Sequence, residues 1–335
     1  LIDTPYPIKL IGDESLSKRD FKRISDPLSK FGARFQLNKG SHLPLKIFGS
    51  LNLKSINYFE SKGSAQCKSS VIFGGMKANG ITNITAKKSR NHTELLCKYL
   101  ALPIKIKQKK NYDQIIIKKV PNFKPLNYNI PSDISSSAFF IVLTAITANS
   151  KLKIKDVNIN SSRIGMITIL KKMGVKIIFK NEKFYKGERK ADIVINSSRN
   201  LKSINCPSRL NSSAIDEFLL IFLVAAKAKG VSYFKGLSEL NQKESPRLKW
   251  AEKILSKMGV KTVTTNDSIK IYGNPNLIIN KTIIIKNFLK DHRVFMTSVI
   301  AALSFGGKWI IHDKDSINTS FPNFLKIIKK LQIND

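Results

Sequence analysis

The stretch GSAQCKSSVIFGGMKANGITN, Gly63–Asn83, combines two signals. Its centre is apolar almost all round, the mark of a helix that is buried rather than lying on a surface, and after Gly80 it passes into a strand-like run. Its opening carries Ser64, Gln66, Lys68 and Ser69, more polar groups than a helix cap requires. A buried helix leading into a strand, with surplus polar groups at its mouth, is therefore the pattern to seek along the chain.

It recurs three times, in SSAFFIVLTAITANSKLKIK (136–155), AIDEFLLIFLVAAKAKGVSYFK (214–235) and HRVFMTSVIAALSFGGKWIIH (292–312). A second form alternates with it, an amphipathic helix running at once into a strand: 24–37, 92–106, 163–179, 247–263 and 321–333. Gly32, Gly174 and Gly259 follow the last turn of three of these helices, where a left-handed residue ends a helix. The spacing, about 70–85 residues, is longer than most solenoid repeats, so a whole α/β module is repeated. Its elements read buried helix, strand, amphipathic helix, strand, strand. Short alternating segments such as QIIIKKV and SIKIYG supply the final strands. Pro131 and the serines of NYNIPSDISSSAFF (127–140) mark a boundary, giving a first domain 1–129 and a second 130–335. The first amphipathic helix has no buried helix before it, and the chain opens on Leu1, so the start is expected to cut into a module.

With 335 residues, the chain can build two cores. Its apolar runs fall short of the roughly 18–20 residues of a membrane span. Three scattered cysteines and four histidines fit neither a disulfide framework nor a zinc site. A reducing cytoplasm and no metal are expected. The net charge of +35 admits a nucleic-acid binder, but it comes mostly from lysines dispersed along the chain. A basic patch or tail with aromatic platforms is the usual nucleic-acid signature; codon bias accounts for a dispersed excess. No specific nucleic-acid partner is expected, whereas small anions would be favoured.

The four buried helices open on Ser64–Ser69, on Ser132, Asp133 and Ser135–Ser137, on Ser212, Ser213, Asp216 and Glu217, and on Asp291–Arg293. Helix N-termini expose N–H groups and a positive dipole end, so such openings can hold anions. Asp216 and Glu217 read as carboxylates inside the third apolar helix, where each needs a partner. In LNQKESPRLKW, Ser245 can be an N-cap and Pro246 the first helical residue. Lys243 and Arg247 have no capping role, and a cation at a helix N-terminus calls for an anion. Arg293 draws attention because Arg is scarce beside Lys.

GDESLSKR (12–19), SAQCKS (64–69), SRNHTE (89–94), IPSDISSSAFF (130–140), AIDEF (214–218), KESPRL (243–248), DHR (291–293) and TSFPNF (319–324) together resemble the enolpyruvyl transferases of the shikimate pathway, the 5-enolpyruvylshikimate-3-phosphate synthase family. The sister family acting on UDP-N-acetylglucosamine lacks several of these signatures. The resemblance implies a two-domain, inside-out α/β prism of repeated βαβαββ units. It implies transfer of the enolpyruvyl group of phosphoenolpyruvate to the 5-hydroxyl of shikimate-3-phosphate, by a monomer without a cofactor. Carried over by position, Arg19, Gln66, Arg247 and Arg293 would hold phosphoenolpyruvate. Ser64, Ala65, Gln66, Ser89, Asp216 and Lys243 would hold shikimate-3-phosphate. Asp216, Lys243 and Glu244 would serve catalysis, Asp216 as base and Glu244 as proton donor.

This sequence departs from the family pattern in places. Pro246 stands where Asp is usual, Asn91 where Asp is common, Asp20 and Leu219 where Pro is found, and Thr319 where many members have Lys. The family's opening Lys-bearing motif lies upstream of Leu1, so little or no turnover is expected of these 335 residues alone.

Overall fold

The computed structural model describes residues 1–123 and 125–332. The chain forms two compact units: Leu1–Asn129 with Lys186–Glu188, and Ile130–Tyr185 with Arg189–Asp335. Among the described residues no helix is long and apolar enough to cross a membrane.

The first unit begins with β1 (Ile8–Leu10), α1 (Glu14–Ser17), α2 (Lys22–Ser29), β2 (Arg34–Asn38) and β3 (His42–Phe48), whose strands pair in the order β1-β3-β2. A complete module follows: β4 (Asn57–Glu60), α3 (Ala65–Lys77), β5 (Ile81–Lys87), α4 (His92–Tyr99), β6 (Ile104–Gln108) and β7 (Tyr112–Lys118). Its sheet runs β4-β5-β7-β6, with β4 and β5 parallel and the other pairs antiparallel. Val71, Ile72 and Met76 of α3 pack with Phe31, Ile84, Ile115 and Ile117. The expectation of all-round burial fails for α3 at Phe73, whose ring is exposed.

The second unit holds α5 (Ile134–Ile146), β8 (Lys151–Asn158), α6 (Gly165–Lys172), β9 (Lys176–Tyr185) and β10 (Glu188–Asn196); then α7 (Asn211–Ala214), α8 (Phe218–Lys227), β11 (Gly230–Phe234), α9 (Arg247–Lys257), β12 (Thr262–Thr264) and β13 (Ile269–Gly273); then β14 (Thr282–Ile285), α10 (His292–Phe305), β15 (Lys308–Ile311) and α11 (Phe324–Gln332). The sheets are β8-β10-β9, β11-β13-β12 and the parallel pair β14-β15. Each complete module also has a leading parallel strand, which the apolar pattern did not reveal. In two modules it is reduced to isolated bridges, Ser132 with Val157, and Lys202 and Asn205 with Lys229 and Tyr233. Such short pairings leave no alternation to read. The strand expected after α11 lies outside the described residues.

Residues 218–226 of α8 are buried without exception, which is why no polar face interrupts them. They pack with α5 and α10 in one apolar core, where Phe222 meets Phe218 and Phe234 at ring distances of 5.6 and 5.0 Å.

Three of the amphipathic helices end alike. Gly174 and Gly259, both at positive φ, close α6 and α9 with paired reverse bonds, as in Val175 N–H to Leu170 O and Gly174 N–H to Lys171 O. At α4 the same two bonds form around Ala101, at φ 51°. A Cβ in that region costs about 1–2 kcal/mol. Ala101→Gly is therefore expected to raise stability, by about 1 kcal/mol once glycine's extra unfolded-state freedom is subtracted; urea unfolding measures it.

Candidate functional site

In the first unit, parallel strands β4 and β5 send their C-terminal ends into the loops that open α3 and α4. Buried Glu60 fixes the first loop by accepting from the N–H groups of Lys62 and Gly63 at 3.1 and 2.7 Å. Ser64 then caps α3, its Oγ accepting from Cys67 N at 3.2 Å and from Arg23 Nη2 at 3.3 Å. Ala65 and Gln66 begin the helix, Gln66 exposed.

Lys68 is not part of an anion-facing opening, contrary to expectation. It is fully buried, its Nζ 2.6 Å from Glu94 and donating to the Arg90 carbonyl at 3.0 Å. The Ser69 and Thr93 hydroxyls lie 2.7 Å apart. The surplus polar groups of the opening stretch thus tie residues 89–94 to α3, bringing the Ser89 segment alongside it. Ser89 Oγ is buried and has no hydrogen-bond partner among the described residues. Arg19 is exposed just beyond α1, on the loop into α2, the helix that supplies Arg23.

In the second unit the predicted residues converge. Asp216 and Glu217 lie not inside a continuous helix but in the turn between α7 and α8. Lys243 Nζ is 3.7 Å and Arg247 Nη1 3.5 Å from Asp216 Oδ1, while Arg293 Nη1 donates to the Asp216 carbonyl at 2.8 Å. Lys243 also pairs with Glu239 at 3.0 Å. Glu244 pairs with Arg247 Nη2.

Arg247 is 2% exposed, and its partner Asp291 is entirely buried. Nε donates to Asp291 Oδ2 at 2.9 Å and Nη2 to Oδ1 at 3.3 Å. Ser245 does not cap α9: its hydroxyl donates to Asp291 Oδ2 at 2.8 Å, and Pro246 takes the cap position with no side-chain bond. The anion that the cations near α9 called for is thus supplied by the protein, as Asp216, Glu244 and Asp291. Burial would raise the Asp291 carboxyl, but the Arg247 guanidinium carries it below its ordinary value. Burial pushes His292 down, and Arg293 adds to that.

Two of the helix ends are also filled from within. Asp133 caps α5 by accepting from Ser136 N at 2.8 Å, and Asp291 caps α10 by accepting from Arg293 N at 2.9 Å. These ends do not stand open for a foreign anion, as the sequence had suggested; α3, capped by a neutral hydroxyl, differs. What the second unit presents is Lys243, Arg247 and Arg293 gathered about Asp216, with Glu244 and Asp291 also paired to Arg247.

Arg163 and Arg23 belong to these clusters and carried no role in the sequence reading, which had Ser135 only among the polar groups opening α5. Arg163 Nη2 donates to Ser135 Oγ at 2.6 Å and lies 3.3 Å from Asp133. The scarcity of Arg that singled out Arg293 would have found both arginines.

The EPSP synthase (3-phosphoshikimate 1-carboxyvinyltransferase) family model matches residues 2–328. The 3-phosphoshikimate 1-carboxyvinyltransferase of Ruthia magnifica is 39% identical over 98% of this chain and 74% of its own length. That of Hydrogenovibrio crunogenus is 37% identical with the same coverages. The solved EPSP synthase of Acinetobacter baumannii superposes with a TM-score of 0.86 at 35% identity, over 98% of this chain and 74% of that one. The two-domain α/β enolpyruvyl transferase fold extends to a Streptomyces tendae enolpyruvyl transferase, 12% identical with a TM-score of 0.70, a likeness of fold alone. With the fold, the motif order and these matches in agreement, the chain belongs to the EPSP synthase family of 3-phosphoshikimate 1-carboxyvinyltransferases.

Proposed function

We propose that the chain transfers the enolpyruvyl group of phosphoenolpyruvate to the 5-hydroxyl of shikimate-3-phosphate and releases phosphate, with the second-unit cluster as its chemical centre. The observation that carries this reading is the gathering of Lys243, Arg247 and Arg293 on Asp216. Asp216 takes the proton of the 5-hydroxyl as that oxygen bonds to C2 of phosphoenolpyruvate. Glu244 delivers a proton to C3, turning the methylene into a methyl. The tetrahedral product then loses phosphate from C2 and a proton from C3, which restores the double bond. Positioned acid–base groups of this kind contribute about 10²–10⁴-fold each.

Arg247 and Arg293 hold the carboxylate and phosphate of phosphoenolpyruvate through forked, charge-assisted hydrogen bonds; in the first unit, Arg19 and Gln66 are the residues proposed for phosphoenolpyruvate. Ser64, Ala65, Gln66 and Ser89 receive shikimate-3-phosphate. The neutral cap of α3 and the unpartnered Ser89 hydroxyl support that assignment, since a helix end without its own acid favours a phosphate. Lys243 adds charge to the same substrate. We take the enzyme to work as a monomer in the cytoplasm, a setting that suits three buried, reduced thiols.

Phosphate release and calorimetry test the roles. Asp216→Asn is expected to lower turnover at least about a hundredfold with the fold intact by circular dichroism. Lys243→Ala is expected to abolish saturable shikimate-3-phosphate binding. Retention of both properties in these variants would remove the cluster from the reaction.

A further inference from the structure

Glu217 is 2% exposed, yet the reaction above does not use it. Nor does capping: it occupies the N-cap position of α8 without a side-chain bond to that helix. Its carboxylate instead faces inward. Ser135 Oγ donates a short hydrogen bond to Oε1, and the same oxygen lies 3.8 Å from Arg293 Nη1. Ser135 is in turn held by Arg163, which also reaches the Asp133 cap of α5. A chain of contacts therefore runs Asp133–Arg163–Ser135–Glu217–Arg293 across the openings of α5, α8 and α10. Arg293 meets one turn twice, through a hydrogen bond to the Asp216 carbonyl and an ion pair with the Glu217 carboxylate.

We propose that Glu217 is a positioning residue for Arg293: set by Ser135 and Arg163, it fixes the direction of the guanidinium and so the affinity for phosphoenolpyruvate. This rests on reading Arg293 as a phosphoenolpyruvate ligand. A buried carboxylate is costly unless it is paired and hydrogen-bonded, and here the pairing is spent on one side chain of the cluster. Arginine loses binding strength steeply when its planar fork is misdirected, because two parallel bonds must form together. Burial raises the Glu217 carboxyl, with Asp216 adding to the rise and Arg293 opposing it. Arg293, Asp216 and Arg163 are the charged groups acting on it, and because its carboxyl lies above the ordinary value, acid releases the contact before it protonates ordinary carboxylates. Phosphoenolpyruvate affinity should accordingly weaken on acidification, and the Glu217→Gln variant should lack that limb.

The test compares wild type, Glu217→Gln and Arg293→Lys of the 335-residue chain. Guanidinium NMR of the ligand-free protein reports how freely the Arg293 fork rotates. Calorimetry reports phosphoenolpyruvate affinity with shikimate-3-phosphate present. Glu217→Gln should free the rotation and weaken phosphoenolpyruvate about tenfold, leaving shikimate-3-phosphate affinity unchanged. Ser135→Ala, which keeps the carboxylate but removes its donor, should do the same to a smaller extent, and it stands in if Glu217→Gln does not fold. A fork as restricted in the variants as in wild type overturns the proposal whatever the affinity does. So does a freed fork with unchanged affinity, provided Arg293→Lys weakens binding. If Arg293→Lys leaves phosphoenolpyruvate binding intact, it is the ligand assignment of Arg293 that falls, and the rotation measurement still decides the role of Glu217.

Discussion

Replacing Asp291 with Ala is expected to destabilise the protein by about 3–5 kcal/mol, the cost of leaving one member of a buried ion pair behind. The residue left behind is Arg247, 2% exposed and threaded between Asp291, Glu244 and Asp216. Three consequences coincide in this one side chain: the Ser245 hydroxyl loses its acceptor, α10 loses its cap, and Arg247 keeps its charge with fewer counter-charges. Asp291→Asn preserves shape and part of the hydrogen bonding and should cost less. Urea unfolding followed by fluorescence separates the two; a loss under about 1 kcal/mol for the Ala variant would mean that Arg247 is solvated by other means.

The same carboxyl gives a pH signature. Its folded pKa lies below its unfolded one, so its stabilisation is complete above the ordinary carboxyl value of about 3.9 and is lost as pH falls through the folded value. Glu217 has the opposite sign: its raised folded pKa favours folding below the ordinary value and ceases to do so as pH rises through the raised one. Stability measured along an acid series should therefore fall more gently in Asp291→Asn than in wild type.

The second large effect concerns α3 and α4. Lys68→Met is expected to cost about 3–5 kcal/mol, because Glu94 would remain buried as an unpaired charge. One oxygen of Glu94 already lacks a hydrogen bond, so the ammonium carries most of its compensation. Lys68→Met with Glu94→Leu should recover most of the loss, since replacing a whole buried pair by apolar groups is often neutral or better. Denaturation midpoints of the single and double variants measure the coupling. If the double variant is no more stable than Lys68→Met, the pair is not what joins the two helices.

The alternation of buried and amphipathic helices was legible because hydrophobic period is a local property. So was the suspicion attached to Asp216, Arg247 and Arg293, ions placed where propensity and solvation disfavour them. What escaped were features decided by distant partners. AIDEF reads as unbroken helix since Ile215 and Phe218 continue the apolar run; the break there allows Glu217 to meet Ser135, 82 positions earlier. Ser245 has the local credentials of a cap, yet Asp291, 46 positions later, takes its hydroxyl. Lys68 resembles the other surface lysines until Glu94 folds back upon it. The leading strands, which the resemblance implied, were not legible in the apolar pattern for a different reason, being too short to show any period.

The neutral Ser64 at the head of α3 has an implication beyond the first unit's geometry. An acid there would complement the dipole and earn a few tenths of a kcal/mol to about 1 kcal/mol, as Asp133 and Asp291 do at α5 and α10. Leaving that end without an acid forgoes some robustness. Directed selection for heat resistance alone would drift toward filling it, and would arrive at a sturdier protein whose proposed phosphate site is taken by its own side chain.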